Sequence, residues 1–276
     1  MFAIDILKKI TVSILFSLLF AQYETNLPVK EIKKEEVISP PKQEVVEESK
    51  VIEEVKKPVP IPPKPNKPQV ATNWWSYPQD IKQATRSGDD LLVLVNKEYT
   101  LGSEYAPSDL VSAANSGIRK GQQYMLRNVV INDLAELVNA AKNDGIDLSM
   151  RSGYRSYQTQ VSTYQYWLRH NKNVVDDADK ISARAGHSQH QLGTAVDFST
   201  SEIQDGIGGR FQNTKAAKWL AENAWKYGFV ISFPKGYESI TGYNYESWHY
   251  RYIGKANAQE MINSGEILEI YLRGKN

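Results

Sequence analysis

The chain has 276 residues, of which 41% are hydrophobic and 24% are charged, enough for a globular core with further segments attached. Its 33 basic and 32 acidic residues nearly cancel, which argues against a nucleic-acid partner or any partner selected by bulk charge. There is no cysteine, so disulfides, thiolate metal sites and cysteine nucleophiles are excluded. A metal site would have to use carboxylates and the four histidines, which are His170, His187, His190 and His249.

Residues 1–21 are typical of an export signal. Lys8 and Lys9 precede the apolar run ITVSILFSLLFA, which is shorter than the roughly 20 residues that span a bilayer as a helix. We therefore expect an exported protein of the cell envelope. Leu19 stands where a cleavage site prefers a small residue, so both cleavage after Ala21 and retention of the segment as a membrane anchor stay open.

Residues 22–73 have the composition of a disordered spacer. Nine of the twelve prolines lie between Pro28 and Pro68, among alternating lysines and glutamates and without glycine. Such a segment cannot bury enough apolar surface to offset the entropy lost on ordering. The folded domain is therefore expected over residues 74–276, a size suited to one domain, and we expect a monomer.

Apolar periodicity and turn residues predict the elements of this domain. The strands are expected at 91–97, 146–152, 193–198, 229–233 and 247–253. The helices are expected at 131–145, at 156–170 after Ser156, at 214–228 before Gly228, and from about Lys255 to the C-terminus. Because strands and helices mix without a regular βαβ rhythm, the prediction is an α+β fold with a mainly antiparallel sheet and flanking helices.

The stretch SQHQLGTAVDF (188–198) places two polar side chains around an apolar strand. Alternation puts Val196 and Phe198 on one face and Asp197 on the other. A buried carboxylate is costly unless a cation or hydrogen-bond donors meet it. Gly193 permits a bend that could return His190 to the Asp197 face. On this stretch alone, a metal site, a structural Asp–His hydrogen bond and a capping role for Asp197 are all open.

The stretch ESWHYRY (246–252) supplies a third candidate ligand. His249 lies on a predicted strand, and Glu246 precedes it by three residues. A catalytic zinc ion typically has three protein ligands and one position left for water. His190, Asp197 and His249 form such a set, which predicts one Zn2+ per chain, and Glu246 is then free to act as the general base.

The stretch RSGYRSYQTQ (151–160) turns from a strand into a helix. Arg155 at the helix entry could hold an anion or a developing oxyanion, and Gln160 offers an amide nearby. An ordinary surface ion pair is the alternative for Arg155. His187, three residues before His190, is expected to brace the loop more than to act as a fourth ligand.

Together the three stretches resemble the signature blocks of the VanY-type D-alanyl-D-alanine carboxypeptidases, relatives of the VanX-type dipeptidases and of the hedgehog zinc domain. The family pattern has Ser-x-His-x-x-Gly-x-Ala-x-Asp followed by Glu-x-Trp-His, and the resemblance covers most of residues 85–255. The matching positions are Ser188, His190, Gly193, Ala195 and Asp197, then Glu246, Trp248 and His249.

The resemblance implies that His190, Asp197 and His249 bind zinc and that Glu246 is the catalytic base. It further implies that Arg155 and Gln160 handle the substrate carbonyl or terminal carboxylate, and Ser188 and Trp248 are expected beside the substrate. Four positions depart from the usual pattern without removing a ligand or the base; they are Ala185 for Pro, Gln189 for Glu, Ser232 for Arg and Ser247 for Pro.

These observations predict an exported zinc carboxypeptidase that removes the terminal D-alanine from peptidoglycan stem peptides. An L,D-carboxypeptidase or an endopeptidase acting on the same peptides is an alternative, because the motifs hold the metal and say little about the pocket. A metal-stabilised wall-binding module without turnover is a second alternative. The presence of Glu246 argues against it, since a binder needs no carboxylate beside the third ligand.

Overall fold

The structure is a computed structural model that describes residues 73–276. The predicted signal or anchor (1–21) and nearly all of the predicted spacer (22–73) lie outside the described residues. The helices are α1 (Asn128–Asn143), α2 (Tyr157–His170), α3 (Val175–Asp179), α4 (Lys215–Asn223), α5 (Glu238–Thr241), α6 (Lys255–Ser264) and α7 (Leu268–Lys275). Among residues 73–276, no helix has both the length and the apolar character to cross a lipid bilayer.

The strands form one central sheet and two small pairs. They are β1 (Lys82–Gln83), β2 (Tyr99–Thr100), β3 (Leu110–Ser112), β4 (Met125–Arg127), β5 (Ser149–Ser152), β6 (Ala195–Ser199), β7 (Phe229–Ile231) and β8 (His249–Tyr252). The central sheet has the order β5-β6-β8-β7, and every neighbouring pair in it is antiparallel. The predicted α+β class with a mainly antiparallel sheet is confirmed.

One face of the central sheet carries the main hydrophobic core. Val196 and Phe198 of β6 are completely buried there, together with Tyr250 of β8. The same cluster includes Leu134 of α1 and Leu220 of α4, so these helices cover that face. Because side chains alternate along a strand, the intervening Asp197 and His249 point to the opposite face.

The predicted helices are present, with shifted ends. Helix α2 begins after Ser156, whose Oγ accepts a hydrogen bond from the Thr159 backbone N–H, as an N-cap does. Helix α1 begins at Asn128, three residues before the predicted start. The predicted helix 214–228 is α-helical only to Asn223 and continues as a 3-10 turn to Gly228, which ends it at a φ of 84°.

The strand predicted at 91–97 is wrong. The segment is buried, as its apolar residues indicated, but it pairs with no strand. Two of its backbone carbonyl oxygens accept hydrogen bonds from a side chain in place of a strand: Nη2 of the buried Arg251 donates to Leu91 at 3.0 Å and to Val93 at 3.1 Å. Apolar composition therefore predicted burial correctly, while the partner of the backbone is a side chain that periodicity cannot identify.

Candidate active site and metal centre

Three predicted ligands converge at one end of the central sheet. Asp197 of β6 and His249 of β8 are directly paired in the antiparallel register, which places their side chains side by side. His190 lies in the 3-10 turn Gln189–Leu192 before β6, and Gly193 ends that turn at a φ of 67°. All three are buried, and their ligand atoms lie within 4.8 Å of one another.

Hydrogen bonds orient both imidazoles toward Asp197. Nδ1 of His190 lies 2.6 Å from the Gly153 carbonyl oxygen, to which it donates, and this leaves Nε2 3.4 Å from Oδ2 of Asp197. Nδ1 of His249 lies 2.9 Å from Oδ1 of Asp197, while its Nε2 lies 3.2 Å from Oε1 of Gln189. A metal between them would therefore meet Nε2 of His190, Nδ1 of His249 and the carboxylate.

The electrostatics keep His190 and Asp197 in the protonation states that metal binding requires. Burial, followed by the positive charge of Arg155, lowers the pKa of His190 to about 4, so its imidazole is neutral at pH 7. Burial alone would raise the pKa of Asp197, but its interactions with His190 and then His249 outweigh burial and hold that pKa well below its usual range. A neutral imidazole beside an ionised carboxylate is a ready ligand pair.

This donor set fits zinc. Two imidazole nitrogens and one carboxylate make up the three protein ligands of many catalytic zinc sites, and no thiolate is needed. His190 also donates its other ring nitrogen to a backbone carbonyl, as metal-binding histidines commonly do. Bound zinc supplies a Lewis acid for a substrate carbonyl and lowers the pKa of water toward neutrality.

Glu246 lies beside the ligand set in the turn that leads into β8. Its Oε2 is 3.7 Å from Nδ1 of His249. Burial, and after it the negative charge of Asp197, raise the pKa of Glu246 well above its ordinary value, while Arg155 acts to lower it. A carboxyl whose pKa is raised can take up a proton and return it, which suits a general base that later acts as the acid.

Arg155 is held by polar side chains of its own segment. Its Nε donates to Oε1 of Gln160 at 3.0 Å, and its Nη1 donates to Oγ of Ser152 at 2.9 Å. A guanidinium has five N–H groups, so three remain for a substrate anion. Arg155 lines the same solvent-open cavity as the three ligands, and its positive charge acts to lower the pKa of Glu246. Arg155 therefore lies at the same cavity as the ligands and Glu246, and its role toward the substrate stays a prediction.

Gln160 does not contact that cavity. It is completely buried, its Oε1 is used by Arg155, and its Nε2 donates to the Ala183 carbonyl oxygen at 2.6 Å. Since both ends of the amide are occupied, the structure gives Gln160 a positioning role toward Arg155 in place of the predicted substrate contact. The sequence could not distinguish these roles because they depend on side-chain rotamers.

The ligands, Glu246 and Arg155 line one solvent-open cavity of about 410 Å3. Ser188 also lines it, with its Oγ accepting from the His190 backbone N–H at 3.3 Å. Trp248 does not line it. Trp248 alternates with His249 along the chain and packs against the main core, so its predicted place beside the substrate is corrected.

His187 braces the cavity wall. Its Nδ1 lies 2.7 Å from the Asn96 carbonyl oxygen, and its ring packs edge-on against Tyr77 at a centroid distance of 4.9 Å. It lies outside the three-residue cluster that could hold a metal. The preferred interpretation of His187 as a bracing residue therefore agrees with these contacts.

Gln189 and Ser232 hold His249 and were not predicted as functional residues. Oε1 of Gln189 accepts a hydrogen bond from Ser232 Oγ at 2.7 Å and lies 3.2 Å from Nε2 of His249, which completes a buried chain of three side chains. Both positions depart from the family pattern in the sequence. The departures at these two positions were the only sequence signal, and the structure shows that the two side chains are hydrogen-bonded to each other.

We expect Gln189→Ala to weaken zinc binding about 10- to 100-fold, because it removes the acceptor that fixes the His249 ring and leaves Ser232 Oγ unpaired. The zinc Kd would be measured by competition with a chromogenic chelator. The matched control is Gln212→Ala at an exposed glutamine. Equal zinc affinity in all three proteins would show that this hydrogen bond does not support the metal centre.

Comparisons with known proteins agree with this site. The family model described as "VanY: D-alanyl-D-alanine carboxypeptidase" matches residues 123–255. The Bacillus subtilis (strain 168) protein named "Putative carboxypeptidase YodJ" is 36% identical over 202 residues, which cover 71% of this chain and 73% of that protein.

Two solved structures share the fold. The LdcB LD-carboxypeptidase is 34% identical with a TM-score of 0.64, and the match covers 72% of this chain and 92% of that one. A mutant of the D,D-pentapeptidase VanY from a VanB-type vancomycin resistance cassette, in complex with Zn(II), is 29% identical with a TM-score of 0.55 over 66% of this chain and 98% of that one. Residues 123–255, which the family model matches, contain the three ligands and Glu246. The chain is therefore a zinc metallopeptidase that belongs to the VanY family of D-alanyl-D-alanine carboxypeptidases.

Proposed function

We propose that this protein is exported and removes the terminal D-alanine from peptidoglycan stem peptides. One observation carries the proposal: the ligand set, Glu246 and Arg155 line a single open cavity. Export is supported by the signal-like residues 1–21. The related LdcB LD-carboxypeptidase recognises peptidoglycan, which supports a cell-envelope location.

A carboxypeptidase must recognise the free carboxylate at the end of its substrate. Arg155 is suited to this task, since three of its N–H groups are unused by Gln160 and Ser152. The same guanidinium could instead hold the oxygen of the scissile carbonyl as negative charge develops on it. In both cases Gln160 and Ser152 fix the guanidinium plane before substrate binds, which lowers the entropic cost of orienting it.

Glu246 is the residue that moves the proton. In its ionised form, Oε2 accepts a proton from the attacking water, and the same carboxyl then delivers that proton to the leaving amine of D-alanine. Burial and Asp197, which raise the pKa of Glu246, make the proton-holding form accessible. A wall-binding module without turnover would have no use for this carboxylate beside the third ligand.

The bond before the terminal D-alanine could follow an L-residue or a second D-alanine. The similarity to the LdcB LD-carboxypeptidase, at 34% identity and a TM-score of 0.64, exceeds the similarity to the VanY D,D-pentapeptidase, at 29% and 0.55. This difference favours L,D-cleavage of a tetrapeptide as the second candidate function.

The test is to incubate the zinc-loaded full chain separately with a stem tetrapeptide and a stem pentapeptide and to identify the products by mass spectrometry. We expect loss of one D-alanine, from the pentapeptide if the enzyme is D,D-specific and from the tetrapeptide if it is L,D-specific. The Glu246→Gln protein serves as the inactive control. Cleavage at an internal bond would identify an endopeptidase, and no cleavage of either peptide would contradict the proposal.

A further inference from the structure

An aromatic cluster lies at the C-terminal end of α2. It consists of Tyr166, Trp167 and His170, which we call the aromatic platform. The ring of Tyr166 stacks with that of His170 at 6.0 Å, and the ring of Trp167 packs edge-on against His170 at 5.6 Å and against Tyr166 at 5.3 Å. Tyr166 is 54% exposed and His170 is exposed as well. Exposed, clustered aromatic rings commonly mark binding sites.

The aromatic platform is continuous with the active site. Thr163 and Trp167 line the same cavity as the zinc ligands. Gln160, Thr163, Trp167 and His170 follow one another at intervals of three, four and three residues, which places them along one face of the helix. Gln160 at the beginning of this face positions Arg155, so the helix leads from the catalytic centre to the platform.

The helix gives the spacing between the platform and Gln160, the residue that contacts Arg155. At 1.5 Å per residue, Trp167 lies about 10 Å and His170 about 15 Å along the helix axis from Gln160. A stem peptide is attached to the glycan by its N-terminal residue and is cut at its carboxyl end. In a tetrapeptide three residues separate the scissile bond from the glycan, and in an extended chain they span about 10 Å.

We infer that the aromatic platform binds a hexosamine ring of the glycan that carries the stem peptide. This inference rests on the proposed function. The C–H groups on one face of a pyranose ring are weakly positive and complement the negative face of an aromatic ring. Tyr166 Oη and the His170 ring nitrogens can hydrogen-bond to sugar hydroxyl or acetamido groups. The enzyme would therefore recognise the peptide and its sugar together.

The test compares two substrates of the zinc-loaded full chain: the free stem peptide, and the same peptide linked to its N-acetylglucosaminyl-N-acetylmuramyl disaccharide. We expect the KM of the disaccharide-linked peptide to be about three- to tenfold lower, the contribution of one or two aromatic contacts. Tyr166→Ala should remove this difference. The matched control is Gln165→Ala, an exposed residue of the same helix outside the platform, which should retain it.

Equal KM values for the two substrates, or an unchanged difference in Tyr166→Ala, would overturn the inference. A third result would also overturn it: Tyr166→Ala changes the oligomeric state on size-exclusion chromatography but leaves the ratio of the two KM values unchanged. The platform would then contact a second copy of the chain and not the glycan.

If neither substrate is hydrolysed, the proposed function fails, and the platform is tested by binding alone. The peptide-free disaccharide is titrated into the protein while the Trp167 indole N–H signal is followed by NMR, with that signal assigned through Trp167→Phe. A saturable shift that is absent in Tyr166→Ala supports the inference, and no shift overturns it.

Discussion

Replacing Glu246 by Gln is expected to lower kcat by about 10^2- to 10^4-fold while zinc stays bound at one ion per chain. The reason is that the amide cannot accept the proton of the attacking water, and general acid–base catalysis contributes a factor of this size. The ligand set does not include Glu246, whose Oε2 lies 3.7 Å from Nδ1 of His249. The measurement is steady-state kinetics on a cleaved stem peptide, with the zinc content determined by elemental analysis.

Folding should not limit this variant. The pKa of Glu246 is raised by burial and by Asp197, so a neutral side chain of the same shape is well tolerated at this position. Glu222→Gln, at an exposed glutamate of α4, is the matched control and should keep full activity. Near-native kcat in Glu246→Gln with zinc bound would show that another group moves the proton.

Replacing Asp197 by Asn is expected to abolish stoichiometric zinc binding and, with it, hydrolysis. The amide keeps the shape of the side chain but removes the negative charge that faces both His190 and His249. The loss of zinc affinity should exceed the roughly 10- to 100-fold expected from disturbing a residue that only supports a ligand, such as Gln189. Zinc content after gel filtration and the zinc Kd measure the effect.

The control for this variant is Asp176→Asn at an exposed aspartate of α3. Circular dichroism melts of both proteins without metal should show folded chains, because β6 is held by its backbone pairing to β5 and β8 on either side. Full zinc occupancy and activity in a folded Asp197→Asn protein would mean that the metal binds elsewhere.

The metal centre was predictable from sequence because its chemistry restricts the choice. With no cysteine and four histidines, a carboxylate inside an apolar strand needed a partner, and Asp197 with His190 and His249 met that need. The register pair Asp197 and His249 then brings two distant stretches together. Trp248 is adjacent to His249 in the chain, so strand alternation sends its side chain to the core face of the sheet, away from the ligands.

The parts that were not predictable depend on tertiary packing. Gln160 was expected at the substrate, yet its amide is hydrogen-bonded to Arg155 and to the Ala183 carbonyl oxygen, an arrangement set by the packing of the helix on the fold. The segment 91–97 is buried without being a strand, because Arg251 of β8, distant in sequence, donates hydrogen bonds to the carbonyl oxygens of Leu91 and Val93. Propensity and periodicity report burial and local conformation, while such side-chain partners are set by the whole fold.

The central claim is that one zinc ion, held by His190, Asp197 and His249 beside Glu246, is required for release of D-alanine. The most direct test strips the full chain with a chelator, adds zinc stepwise and measures D-alanine release from stem tetrapeptide and pentapeptide at each step. We predict no release without zinc, a linear rise, and a plateau at one zinc per chain. Release by the stripped protein, or a rate that keeps rising to a second equivalent, would contradict the account.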